Sequence, residues 1–258
     1  MRKSKKEYSD VKKQRLCAPT DEIFFSYQGE GIYAGMPQIF VRFAGCNIKC
    51  SYCDTANSQK ISSKTKFLTA PEIIREAVKL YNKNKKATIL PKFCGKQRLK
   101  SISITGGEPL LQIDFLKEFL PLALQEGFEV YLETNGAMPQ NLKKIVSLCS
   151  IISMDFKMPS ACGKSFWKEH KEFLQTASNA GKAVFVKIAL TKETKLIEIV
   201  KSAEIIKAVS KNIPLILQPS LSKDKGKLQD IFLFRSIAAK DLNDVRVMPQ
   251  MHKLYNLK

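Results

Sequence analysis

Hydrophobic and polar positions fall into two rhythms along this chain, and from Ser101 onward the two alternate. Short apolar runs rich in β-branched residues predict strands over Ser101–Thr105, Phe128–Glu133, Ile151–Asp155, Ala183–Leu190, Ile213–Gln218 and Val245–Met248. Between them, apolar residues recur at helical spacing over Phe115–Gln125, around Leu142–Leu148, and over Phe166–Ala180, Lys195–Ser210 and Leu228–Ala239. The first part of the chain is less regular. Glu22–Tyr27 and Pro37–Ala44 predict strands, and Thr69-Ala70-Pro71-Glu72 has the spacing of a capping box that opens a helix.

Strands that alternate with helices of this length build βαβ units and a parallel sheet. The expected fold is α/β, an open partial (β/α) barrel of six to seven mainly parallel strands, short of a closed eightfold barrel. Chemistry in such barrels sits at the C-terminal ends of the strands. Polar or glycine-bearing clusters stand at those ends: Cys46–Thr55, Thr105–Pro109, Glu133–Gly136, Asp155–Lys157, Gln218–Ser220 and Pro249–His252.

Composition narrows the class. A chain of 258 residues, 44% of them hydrophobic, is long enough to bury one full core. No apolar run approaches a membrane span, and the basic N-terminus has no apolar segment behind it, so a cytoplasmic protein is expected. The 43 Lys and Arg against 24 Asp and Glu leave a net charge of +19, which favours acidic partners. Residues 1–20 are expected to form a basic, flexible tail, and residues 21–258 a single domain with a basic insert near 82–100. The basic stretches lack the interleaved aromatics of single-strand binders, so direct nucleic-acid binding is not expected.

Seven cysteines in a cytoplasmic chain do not read as a disulfide framework. Cys17, Cys94, Cys149 and Cys162 are scattered, whereas Cys46, Cys50 and Cys53 form a Cys-x3-Cys-x2-Cys loop straight after a strand. Thiolates this close converge on one centre. A structural zinc would need a fourth ligand, and His170 and His252 both lie far away in sequence. A four-iron cube held by three cysteines keeps one iron free for another ligand.

The loop resembles that of the radical S-adenosylmethionine (SAM) superfamily, with the aromatic Tyr52 between its last two cysteines, and Thr105-Gly106-Gly107-Glu108-Pro109 resembles that superfamily's second-strand element. The similarity narrows at Tyr27-Gln28-Gly29-Glu30-Gly31, Phe40-Val41-Arg42-Phe43, Cys53-Asp54-Thr55, Glu133-Thr134-Asn135-Gly136, Leu217-Gln218-Pro219 and Arg246–Lys253. Together these resemble the 7-carboxy-7-deazaguanine synthase family, from about residue 22 to the end.

The resemblance implies a radical SAM carbon–nitrogen lyase of queuosine-precursor biosynthesis, with a [4Fe–4S] cluster, SAM and Mg2+ as cofactors. Its substrate would be 6-carboxy-5,6,7,8-tetrahydropterin, from which hydrogen abstraction at C6, ring contraction and loss of ammonia give 7-carboxy-7-deazaguanine. It also implies a homodimer and a flavodoxin-like or other electron donor.

By the same resemblance Cys46, Cys50 and Cys53 hold the cluster and Thr55 the Mg2+. The substrate is met by Tyr27, Gln28, Gly29, Glu30, Arg42, Thr105 and His252, with the planar fork of Arg42 suited to its carboxylate. SAM is met by Tyr52, Asp54, Gly107, Glu108, Asn135, Ser153, Lys157 and Gln218. Plainer readings stand beside these: Arg42 in a structural ion pair, Thr55 capping a turn, Gln28 and Glu30 in a hairpin, His252 on the surface. Better-known members read Ser-Pro-Lys where this chain has Ser153-Met154-Asp155-Phe156-Lys157, a departure at the fourth strand. The nearest rival reading is a radical SAM activase that makes a glycyl radical on a partner protein.

Overall fold

The computed structural model describes residues 16–85, 100–220 and 230–255. Most of the expected tail and insert, together with Cys94, lies outside these residues. Nine strands form one sheet: β1 (Cys17–Tyr27), β2 (Pro37–Phe43), β3 (Lys66–Thr69), β4 (Ser101–Gly106), β5 (Glu129–Thr134), β6 (Ile151–Asp155), β7 (Ala183–Leu190), β8 (Leu215–Pro219) and β9 (Val245–Val247). Their order is β3-β1-β2-β4-β5-β6-β7-β8-β9. The seven from β2 through β9, leaving out β3, run parallel, as expected for an open (β/α) barrel. β1, whose Glu22–Tyr27 part was expected, and β3, which was not, are both antiparallel and lie on the β2 side. β1 begins at Cys17, inside the segment expected to be tail. Its first residues are held by β3 through the Cys17–Thr69 and Thr20–Lys66 pairs.

Helices α1 (Ala70–Asn84), α2 (Ile113–Gln125), α3 (Pro139–Ile145), α4 (Pro159–Cys162), α5 (Trp167–Asn179), α6 (Leu196–Val209) and α7 (Ile231–Ala238) link the strands, and a last turn, α8 (Met251–Leu254), follows β9. α1 opens with the expected capping box: Thr69 N and Oγ1 both donate to Glu72, at 2.8 and 2.6 Å. Among the described residues no helix is long and apolar enough to cross a membrane.

Side-chain alternation divides the core into two layers. Val41, Ile104, Leu132, Met154, Ile188 and Leu217 point outward into the main core beneath the helices. On the inner face β2, β5, β6, β7 and β8 climb from an apolar residue to a polar one two positions later, while β4 carries Ser101, Ser103 and Thr105. Tyr131, Phe185 and Ile216 form a small separate cluster, and Glu133, Lys187 and Gln218 follow them. The barrel therefore has an apolar floor and a polar upper end.

Candidate active site

Parallel register puts the polar residues at one height. Arg42 pairs with Thr105, Glu133 with Ser153, Asp155 with Lys187, and Ala189 with Gln218. All eight line one cleft, which encloses about 1280 Å³ with its open mouth included. Tyr27, Gln28, Gly29, Glu30, Cys46, Cys50, Tyr52, Cys53, Asp54, Thr55, Gly107, Asn135, Lys157 and His252 line the same cleft. Of the site residues expected from sequence, Glu108 alone is missing from the lining.

Glu108 lies fully buried behind the wall. Its carboxylate accepts from Leu110 N at 3.0 Å, Thr134 Oγ1 at 2.9 Å and Asn135 N at 2.8 Å. Burial pushes its carboxyl above the usual range against those bonds. It organises backbone and does not face the cleft, which corrects the expected contact with SAM. Asn135, fixed this way, donates from Nδ2 to Asn47 Oδ1 in the cysteine loop at 2.8 Å.

The cysteine loop is tied on both sides. Gly45 N donates to Ser58 O at 2.8 Å, and Ser51 N donates to Ala161 O at 3.0 Å. Gly107 N and Glu108 N donate to Phe43 O and Gly45 O, at 3.0 and 2.8 Å. A Cβ at Gly107 would collide with Gly45 O and Ser58 O, so this glycine is needed to bring two backbones together. Burial raises the Cys46 thiol and pushes Cys50 up to about 12. Only a cationic ligand would make thiolates stable there. Lys157 donates to Asp155 Oδ2 at 2.8 Å and to Tyr52 Oη at 3.3 Å, with its Nζ over the Tyr52 ring. Burial would lower the Lys157 pKa, but Asp155 raises it well above the usual range.

Gln28 differs from its expected role. Its Nε2 donates to Glu133 Oε1 at 2.8 Å and to Gln38 Oε1 at 3.1 Å, while its Oε1 accepts from Glu30 N at 3.1 Å. The amide is thus committed to protein partners. Glu133 is the freer group: it accepts from Gln28, from Ser103 Oγ at 3.0 Å and from Thr105 Oγ1 at 3.0 Å. Glu30 pairs with Lys187 through Oε2 and accepts from Gln250 Nε2 through Oε1 at 2.7 Å. Burial would raise its pKa, yet Lys187 and Gln250 hold it below the usual carboxylate range.

Thr55 precedes a short 3-10 turn over Ala56–Gln59, but its side chain makes no capping hydrogen bond. Its Oγ1 lies 3.8 Å from Cys53 Sγ. Among the described residues no carboxylate is within ion-pair distance of Arg42, which lies 5.5 Å from the centroid of the Phe24 ring. His252 is part of the wall, with Nε2 3.5 Å from Asp54 Oδ2. Burial acts to raise Asp54, but the bond to His252 and the charge of Lys253 hold it well below its usual range. Gln28 and Glu30 belong both to the hairpin between β1 and β2 and to the cleft.

Sequence reasoning gave no role to Lys187, Glu133, Asp155 or Gln250. Lys187 carried a signal, as the one charged residue in the apolar run Ala183–Leu190. Glu30, Asp54 and His252 bring ligand atoms within 4.8 Å of one another. Lys187, Gln250 and Lys253 already serve those carboxylates, so the group is an ion-pair network.

Comparison with known proteins agrees with this geometry. The Radical SAM superfamily profile matches residues 40–206. A 7-carboxy-7-deazaguanine synthase of Geobacter sulfurreducens is 38% identical over 253 residues, spanning 92% of this chain and 96% of the relative. The synthase of Methanothermobacter thermautotrophicus is 34% identical over 94% of this chain and 99% of its own length. Among solved structures, QueE from Escherichia coli superposes with a TM-score of 0.60 at 20% identity, covering 92% of this chain and 95% of that one. A TYW1 structure follows at 0.57 and 16% identity, over 80% and 74%. These two show that the fold is shared. The chain is a member of the 7-carboxy-7-deazaguanine synthase family, within the radical SAM superfamily.

Proposed function

We propose that this chain converts 6-carboxy-5,6,7,8-tetrahydropterin to 7-carboxy-7-deazaguanine and ammonia, as a radical SAM lyase of 7-deazapurine biosynthesis. The observation that carries the reading is Arg42: among the described residues a cation without a carboxylate partner, in the cleft that also holds the three cysteines. Its fork suits the substrate carboxylate. Glu133, held by three neutral donors, offers acceptor oxygens to the amino groups of the pterin ring.

The residues fit the cofactors. Three thiolates around one ion, at ~2.3 Å each, would sit within ~4 Å of one another. Among the described residues, the only His, Cys, Asp or Glu group gathered within 4.8 Å is Glu30, Asp54 and His252, so the cysteines are spread more widely. That spread suits a four-iron cube held by Cys46, Cys50 and Cys53. Gln218 Nε2 and Asp155 Oδ1 are buried without a hydrogen-bond partner among the described residues and belong to lining residues, a donor and an acceptor suited to a polar ligand such as SAM. The hydroxyl of Thr55, unused as a cap, is a hard oxygen suited to Mg2+. When bound and reduced, the cluster supplies the electron that cleaves SAM to methionine and a hydrogen-abstracting 5′-deoxyadenosyl radical.

The chain's own part is binding and orientation. Arg42 and Glu133 fix the two ends of the substrate, Lys157 holds the cysteine loop through Tyr52, and Asn135 braces the same loop through Asn47. A homodimer and an acidic, flavodoxin-like electron donor belong to the same reading, the donor supported by the net charge of +19. Light scattering on the purified protein tests the dimer, and a monomer would refute it.

The experiment is anaerobic turnover of the reconstituted protein with reductant, SAM, Mg2+ and 6-carboxytetrahydropterin, followed by mass spectrometry. Formation of 7-carboxy-7-deazaguanine supports the reading. Cleavage of SAM without that product sinks the substrate. Wild-type rates from both Arg42→Ala and Thr55→Ala would overturn the placement of substrate and Mg2+.

A further inference from the structure

The segment after β9 returns across the cleft. Met251 N donates to Gly29 O at 2.9 Å, and His252 packs so closely on Gly29 that an added Cβ there would stand 2.5 Å from Nδ1. Gln250 is the buried member of this strap, 8% exposed. Its Nε2 donates to Glu30 Oε1 at 2.7 Å and to Asp54 Oδ2 at 3.4 Å. Two carboxylates settle which way the amide faces, because the carbonyl end turned toward them would set oxygen against oxygen. Gln250 Oε1 must then face away from both. It is buried, and it has no hydrogen-bond partner among the described residues. Gln250 lines the cleft between Glu30 and His252, on the side of the hairpin turn.

A buried acceptor without a donor is costly, and it is kept where a ligand supplies the donor. We propose that Gln250 is a substrate-binding residue whose Oε1 accepts a hydrogen bond from an N–H of the bound heterocycle, with Glu30 and Asp54 holding the amide in that orientation. This rests on the reaction proposed above. A reduced pterin is well supplied with N–H donors of the kind this acceptor lacks.

The test uses the reconstituted full chain and Gln250→Met, which keeps length and approximate volume while removing both amide functions. Wild-type turnover of 6-carboxytetrahydropterin tests the reaction, and the variant tests Gln250. The KM for the pterin is expected to rise about tenfold or more, with the KM for SAM and substrate-free SAM cleavage unchanged. An unchanged pterin KM overturns the proposal. So does an equal loss of substrate-free SAM cleavage, which would place the damage in the cysteine loop. Hydrogen exchange at the Met251 amide separates the acceptor from the strap. Protection equal to wild type, together with a raised KM, supports the acceptor role, whereas lost protection means that Gln250 only fastens the strap.

Discussion

Glu30 and Lys187 meet deep in the cleft, with side-chain exposures of 18% and 6%. An ion pair so far from water gives little net stability, but removing one partner strands the other charge. Lys187→Met is therefore expected to lower unfolding stability by about 3–5 kcal/mol, and adding Glu30→Gln is expected to recover most of that loss. Urea titrations of the two variants check this. His170 gives a pH-dependent counterpart. It is fully buried, stacked on Phe156, with Nε2 3.1 Å from Asn135 O, and burial lowers its pKa to about 3. The unfolded chain takes up a proton near pH ~6.5 and the native one does not, so this contribution is present above that pH and is lost as pH falls toward about 3. From pH 7 to 5 the loss from this residue comes to about 2 kcal/mol. His170→Gln is expected to lose correspondingly less over that interval in the same titrations. Lys187 and His170 were assigned no role in the site from sequence, since burial and partnership are properties of the assembled barrel. The three cysteines and Arg42 were legible because their chemistry is written in spacing and residue type.

Strands and helices were legible wherever a rhythm ran long enough. The bounds of β6 and β7 are those expected, and α5 and α6 each differ by one residue at either end. β3 was missed because Lys66–Thr69 is four residues long and its first two are exposed, leaving no alternation to read. The early start of β1 was missed because Cys17-Ala-Pro-Thr is extended through pairing with β3, a partner about 50 residues away. The turn after β4 serves the site through its backbone as well as its place in the cleft. Gly107→Ala would force the cysteine loop away from β4, and iron bound per chain after reconstitution is expected to fall well below wild type. Iron analysis and the visible absorption of the cluster check this, and wild-type loading would refute it.

Over the whole molecule, seven parallel strands gather most of the cleft's polar side chains at their C-terminal ends, and the sheet stays open because its outermost strands, β3 and β9, are not paired with each other. Much of the positive charge lies in the N-terminal stretch and in residues 82–100, and its effect belongs to encounter with partners. With an acidic flavodoxin as donor, turnover is expected to fall several-fold between ~0.05 and ~0.5 M salt, while turnover driven by dithionite changes little. Parallel salt titrations with the two reductants decide it.

The strap has a consequence in time. Glu30 and Gln250 stand 220 positions apart, so their bond can form only after nearly the whole sheet has been synthesised and assembled. The cysteines leave the ribosome some two hundred residues earlier. A growing chain therefore shows its thiols to an iron–sulfur donor while the cleft still lacks the wall that Gln250 and His252 supply.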